Sequence, residues 1–286
     1  MTRDILSVIQ NRMSTFSKGQ KMIARFILES YDKAAFMTAS KLGKTVNVSE
    51  STVVRFAAEL GYDGYPSMQK ALQEMIRNKL TSIQRIEVTN DRIGNQDVLS
   101  MVMQSDIEKI RMTMEETNRE SFNASVNAIL AAKRIYILGV RSAAALADFI
   151  GFYFNLIFDN IVLVHTTSAS EIFEQLLRVG PEDVVIGISF PRYSSRTVKA
   201  MRFARDRGAN VIALTDSEAS PLAEIATETL LAKSDMASFV DSLVAPLSLV
   251  NALIVALGRK KNEDVELIFS NLEKIWEEYE VYEKVE

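Results

Sequence analysis

The chain has 286 residues, of which 48% are hydrophobic and 24% charged, with a formal net charge of −4, one histidine and no cysteine. That length exceeds what one ordinary core needs, so two domains are expected. Without cysteine there are no disulfides, no thiolate catalysis and no cysteine-bound zinc, and the lone His165 leaves no material for a multi-histidine metal site or a Ser-His-Asp triad. Neither a metal nor a cofactor is expected. The longest apolar runs are strand-length and the amino terminus lacks a basic-then-apolar signal segment, so a cytoplasmic protein with no membrane partner is expected.

Charge is unevenly placed. Residues 1–80 hold 12 Lys and Arg against 7 Asp and Glu, a net of +5, while the remainder holds 21 against 30, a net of −9. A basic head on an acidic body points to a nucleic-acid partner for the head. In the head, Ile5, Val8 and Ile9, then Met22, Ile23, Phe26 and Ile27, recur at helical spacing. Ser17 is the N-cap of the second helix. A third helix is predicted from about Thr38 to Val46, and Asn47 then suits a sharp turn in left-handed conformation. Val48 plugs the corner and Ser49 caps the next helix, predicted to run to Leu60 with Gly61 as terminator.

Along that helix Val53, Phe56, Ala57 and Leu60 share one face, which is core. Glu50, Ser51, Thr52 and Arg55 point away from it, and short hydroxyls in such a first turn suit base edges in a DNA major groove. Gly43 lets the two helices cross closely. The set Gly43, Val46, Asn47, Val48, Ser49, Thr52, Val53 and Arg55 resembles the helix-turn-helix of bacterial regulators. RFAAELGYDGYPSMQKAL, residues 55–72, is similar to the amino-terminal domain of the RpiR family of sugar-metabolism regulators. The resemblance implies a double-stranded DNA operator as partner. Candidate DNA-binding residues are Ser49, Glu50, Ser51, Thr52 and Arg55, with Lys44, Tyr62 and Lys70 as further phosphate contacts. Arg55, further along the helix, suits phosphate better than a base.

Residues 79–97 are polar and show no apolar face, so they read as a linker between a domain at 1–78 and one at 98–286. A long helix over residues 98–118 is predicted, whose Val98, Met101, Val102, Ser105, Ile110 and Met114 make a stripe facing either a core or a partner subunit. RIYILGV, NIVLVH, DVVIGIS, NVIALT and ETLLAK are then strand-like runs separated by segments long enough for crossover helices. They predict a five-stranded parallel sheet covered by helices on both faces, with the ligand site beyond the carboxyl ends of the strands.

Three loops at those ends are hydroxyl-rich: Gly139–Ala143, Ser189–Thr197 and Thr215–Ser217. Hydroxyls at helix amino termini suit phosphate. The first two loops, with ALTDSEASPLA, look like the SIS phosphosugar-binding domain, the partner expected in the RpiR family. The resemblance implies a phosphorylated sugar effector held by Ser142, Ser189, Ser194 and Thr197, with Ser195 in reserve. The SFPRYSSRT loop departs from the family's usual S-x-S-G-x-T by being longer and lacking the glycine. Arg192, an addition in it, offers a bidentate fork to phosphate or to a sugar carboxylate.

SIS domains also occur in aldose-ketose sugar-phosphate isomerases. Glu171, Glu174 and His165 are the residues such an enzyme would draw on, but a DNA-binding head favours binding without catalysis. The reading is therefore an all-α helix-turn-helix domain followed by an α/β SIS domain, acting as an effector-controlled transcription regulator. Paired half-sites imply a homodimer or homotetramer, with the helix at 98–118 and the acidic amphipathic segment 265–285 as candidate interfaces.

Overall fold

The computed structural model describes residues 5–77, 81–93, 97–166, 168–235 and 238–283. The chain forms two compact units, residues 1–104 with 236–241, and residues 105–235 with 242–286.

The first unit is helical. It contains α1 (Ile5–Asn11), α2 (Lys18–Glu29), α3 (Tyr31–Ala34), α4 (Ala39–Thr45), α5 (Glu50–Glu59), α6 (Tyr65–Arg77) and α7 (Ser82–Ile93). Its core gathers Ile9, Ile23, Ile27, Leu42, Val53, Phe56, Met68 and Leu72, with Phe16 edge-on to Phe56 at 5.1 Å. The helix starts follow their caps. Ser17 and Gln20 close a reciprocal capping box on α2, Thr38 caps α4, and Ser49 caps α5. Met22, expected inside, is instead exposed, because α2 turns Ile23, Ala24 and Ile27 inward. The span expected as a linker holds α7, with Arg85, Val88 and Thr89 buried. Arg85 pairs with Asp241 at 2.7 Å. The inward face of α7 is built from a charge and a hydroxyl as well as Val88, which is why hydropathy alone left it blank.

Helix α8 (Val98–Glu116) carries the chain into the second unit, where α9 (Arg119–Ala131), β1 (Ile135–Gly139), α10 (Ala144–Phe154), β2 (Ile161–Leu163), α11 (Ala169–Gln175), β3 (Val184–Ile188), α12 (Ser195–Asp206), β4 (Asn210–Thr215), β5 (Glu228–Leu231), α13 (Val244–Lys260) and α14 (Asn262–Glu278) follow. All five strands lie at the expected places and pair in parallel in the order β2-β1-β3-β4-β5. Alternate strand residues feed two cores. Ile135, Ile137, Ile186 and Ile212 pack with Ile150 of α10 and Leu253 of α13, while Tyr136, Leu138, Val185 and Val211 pack with Ile172 of α11 and Met201 of α12. Burial on both faces makes the central strands β1, β3 and β4 read as nearly unbroken apolar runs.

Two elements carry apolar residues on their outer faces. On α8 the buried residues are Lys109 and Thr113, while Val98, Ile110 and Met114 of the anticipated stripe are exposed, as are Leu99, Met103 and Ile107. Lys109 is tied to Asp106 at 3.0 Å and to Ser105 at 3.1 Å, and Asp106 also accepts from the Ser242 hydroxyl at 2.7 Å. A polar lattice thus holds the inner face and leaves the apolar one outside. No residue of α14 is buried, and Leu267, Ile275 and Tyr279 stand exposed.

Candidate functional site

In the head, α4 and α5 meet at a corner set by two backbone requirements. Asn47 takes a left-handed φ of 56°, and the Val48 N–H donates to the Gly43 carbonyl at 2.8 Å. A Cβ on Gly43 would stand 2.8 Å from the Val48 carbonyl oxygen, so only glycine fits that crossing. Past the corner the Ser49 hydroxyl accepts from the Thr52 N–H at 3.3 Å and lies 2.9 Å from the Ser51 and 2.8 Å from the Thr52 hydroxyl. Ser49, Glu50, Ser51 and Arg55 are exposed, as expected. Thr52 is half-buried, its methyl 3.5 Å from where a Cβ on Gly19 of α2 would stand. The Arg55 guanidinium folds back along α5, its Nε donating to the Ser51 carbonyl at 3.3 Å. Lys44 and Lys70 are exposed, and Tyr62 is half-buried against the head core.

In the second unit the chain leaves β1 for β2 on one side and later enters β3 on the other, so a topological switch falls between β1 and β3. Open parallel sheets have their ligand crevice at this point. Gly139 and Ile188 are register partners, so the loops beginning at Val140 and Ser189 leave the sheet at the same level. The first closes on itself in a single 3-10 turn, Arg141–Ala143. A Cβ on Gly139 would overlap the Ala143 carbonyl, and Arg141 takes a left-handed φ of 59°. Ser142 and Arg141 are exposed at the turn.

The second loop is held by its serines. Ser189, buried, receives the Ser194 N–H on its hydroxyl at 3.0 Å, and Ser194, the N-cap of α12, receives the Thr197 N–H at 3.4 Å. Thr197 is fully buried and its hydroxyl has no hydrogen-bond partner among the described residues. A buried hydroxyl left in that state carries a desolvation cost, which a ligand acceptor at the same place would remove. Ser195, Arg192 and Arg196 are exposed. Gly187 allows α12 its close seat, since a Cβ there would overlap Met201. The third loop contributes Asp216, buried, accepting from the Tyr193 hydroxyl at 2.8 Å and from Thr215 at 3.4 Å.

The structure thus brings Ser142, Ser189, Ser194 and Thr197 to loops on neighbouring strand ends. Sequence reasoning passed over Arg141, Arg196 and Ser234. Ser234, three residues past β5, is also buried, its hydroxyl without a partner among the described residues. Of the residues an isomerase would draw on, His165 lies just past β2 and Glu171 and Glu174 lie on α11. Glu171 accepts from the Thr166 hydroxyl, and His165 lies 3.3 Å from Asp148, both of that pair being exposed. Among the described residues there is no cluster of His, Cys, Asp and Glu suited to a metal ion and no helix long and apolar enough to cross a membrane.

Two family models match the chain, the helix-turn-helix domain of the rpiR family over residues 3–79 and the SIS domain over residues 128–256. This pairing defines a helix-turn-helix regulator with a sugar-isomerase-type domain. The chain belongs to the RpiR family. An HTH-type transcriptional regulator of Caldanaerobacter subterraneus subsp. tengcongensis is 23% identical over 279 residues, covering 95% of this chain and 96% of its own length. The sugar isomerase domain of an RpiR transcription factor from Sphaerobacter thermophilus superposes with a TM-score of 0.60 at 29% identity, over 63% of this chain and 99% of that one. The Vibrio vulnificus NanR protein complexed with ManNAc-6P shares the fold, with a TM-score of 0.59 and 23% identity over 95% of this chain and 97% of that one.

Proposed function

We propose that this protein is a cytoplasmic transcription regulator of sugar-metabolism genes whose operator affinity is set by a phosphorylated sugar held at the β1/β3 crevice. The observation that carries the effector site is the Thr197 hydroxyl, buried behind the Ser194 cap and without a partner among the described residues. There the N–H groups and dipole of a 12-residue helix add to hydroxyls from Ser142, Ser189 and Ser194. Support from a relative comes from NanR, which was solved with a sugar phosphate bound.

In the head, α5 is the recognition helix. Ser51, Thr52 and Glu50 are the base-edge candidates, while Arg55, Lys44 and Lys70 bind phosphate and set register. Two heads are needed for a two-fold operator. We assign the second copy to the apolar outer face of α8, where Ile107, Ile110 and Met114 lie exposed because the inner face is polar. Effector binding shifts the balance between head poses, changing operator affinity by a coupling free energy of about 1–3 kcal/mol. Catalysis is not part of the proposed function, which rests on the DNA-binding head and on relatives named as transcriptional regulators.

Thermal unfolding against a panel of sugar phosphates tests the effector site, because a ligand that binds the native state raises its melting temperature. A shift is expected for the wild type and none for Ser142→Ala with Thr197→Val, which retains operator binding. Arg55→Ala does the converse: operator affinity falls and its salt slope drops by about one, with the sugar-phosphate shift intact. Turnover of a sugar phosphate that stops in Glu171→Gln would replace the regulator reading with the isomerase one.

A further inference from the structure

Helix α5 exposes two side chains whose chemistry fits bases better than phosphates. Its inner face is Val53, Phe56 and Ala57, all buried. Glu50, Val54 and Ala58 recur at every fourth position on its outer side and are all exposed, Val54 at 41%. Val54 is thus an aliphatic group set among Glu50, Ser51 and Arg55, which are exposed as well. A β-branched side chain there lowers helix propensity and leaves methyl groups in water, so the free head gains nothing from it. Against a partner that offers a methyl group of its own, the same surface is buried to advantage.

The hydroxyls of this turn discriminate poorly. Ser51 and Thr52 lie 2.9 and 2.8 Å from the Ser49 hydroxyl, Thr52 is half-buried, and a hydroxyl both donates and accepts, so it suits any base. The Arg55 Nε is turned back onto the Ser51 carbonyl at 3.3 Å. Glu50 and Val54 differ, because each has one strong match on the floor of the major groove. A carboxylate is repelled by phosphate and accepts from the N4 amine of cytosine, while an aliphatic side chain packs on the C5-methyl of thymine. Helical side chains lean toward the amino terminus, so Val54 covers the turn that starts at Glu50. The two positions are separated by about 6 Å along the axis, close to two base-pair steps of about 3.4 Å. Ala58, next on the line, is small enough to let α5 lie close to the groove floor.

Resting on the recognition-helix assignment proposed above, we infer that Val54 is a specificity residue reading the C5-methyl of a thymine, and that Glu50 reads the N4 amine of a cytosine one or two base pairs away. Each operator half-site then holds a T·A and a C·G pair within that spacing. The Val54 contact is apolar, so it adds to sequence preference without adding to the salt dependence of binding.

The full chain is first used to select binding sites from a randomised duplex library. The selected site is then resynthesised with deoxyuridine replacing each thymine in turn, which removes only the methyl group, and affinity is read by fluorescence anisotropy. One thymine in each half-site should respond, its replacement weakening wild-type binding by about threefold or more. Val54→Ala should bind the thymine site as weakly as the wild type binds the uracil one, be indifferent to the replacement, and keep the wild-type melting temperature and salt slope. Glu50→Ala should lose a preference for C·G at one position that amounts to about fivefold or more in the wild type. Wild-type indifference to every replacement, or a Val54→Ala chain as sensitive as the wild type, would overturn the thymine contact. An unchanged cytosine preference in Glu50→Ala would overturn the other. Both results leave α5 as the recognition helix, whereas failure to enrich any sequence from the library would sink that assignment.

Discussion

Helices α5 and α12 begin with the same Ser-x-x-Thr spacing, Ser49 to Thr52 and Ser194 to Thr197, and use it in opposite ways. In the head the Ser49 hydroxyl gathers the Ser51 and Thr52 hydroxyls, at 2.9 and 2.8 Å, on a turn whose Ser49, Glu50 and Ser51 are open to solvent. In the sheet domain the threonine is fully buried and its hydroxyl has no partner among the described residues. The first arrangement is complete alone and offers a surface. The second is incomplete, and a buried unmet hydroxyl is what a binding crevice leaves when its ligand supplies the missing acceptor. Capping chemistry is therefore no guide to function until burial is known.

Four experiments would break or sharpen that contrast. The largest effects belong to the glycines that shape each site. Gly139→Ala and Gly43→Ala each drive a methyl into backbone carbonyl oxygen, of Ala143 and Val48 respectively. Each should lower stability by about 1–3 kcal/mol, read by thermal unfolding, with the first losing sugar-phosphate binding and the second operator binding. Next come the threonines. Thr197→Val removes the orphan hydroxyl and should leave the ligand-free protein as stable or more so, by up to about 2 kcal/mol, whereas Thr52→Val breaks a made bond and should destabilise. Equal losses in denaturant titrations of the two would remove the distinction drawn here.

Caps rank third. Ser49→Ala should cost about 1 kcal/mol and weaken operator binding through loss of α5's first turn, while Ser194→Ala should cost about as much and leave operator binding alone. The smallest effect is at Tyr65, whose hydroxyl donates to the Met37 carbonyl at 2.6 Å and whose burial pushes its pKa up to about 12. Between the ordinary value of 10.0 and that figure the unfolded chain releases the proton and the folded one retains it, so head stability falls as pH rises through this window. Tyr65→Phe should cost about 1 kcal/mol at neutral pH and flatten the alkaline decline, as followed by circular dichroism.

The head was legible because its information is local. Asn47, Gly43, Ser49 and the 53-56-57-60 face act within one or two helical turns, and local sterics and periodicity settle them. The central strands β1, β3 and β4 were equally plain, since burial on both faces makes them nearly continuous apolar runs. The hidden parts are those where polar groups do the packing. Helix α7 seats Arg85 and Thr89 inside, and α8 buries Lys109 and Thr113 while turning Ile107, Ile110 and Met114 out. Hydropathy does not mark such inner faces, because it does not see the partners, Asp241 for Arg85 and Asp106 for Lys109, that make burial affordable.

By itself the sequence determined the two domain types, the caps, the strand set and the serines and threonine at the strand ends. Only the tertiary structure decided that Gly139 lies level with Ile188, that Arg141 and Arg192 thereby border one crevice, and that the Thr197 hydroxyl is buried without a partner among the described residues. Helix and strand formation depend on neighbours along the chain, whereas a binding crevice depends on strand order and register, which bring together residues some fifty positions apart.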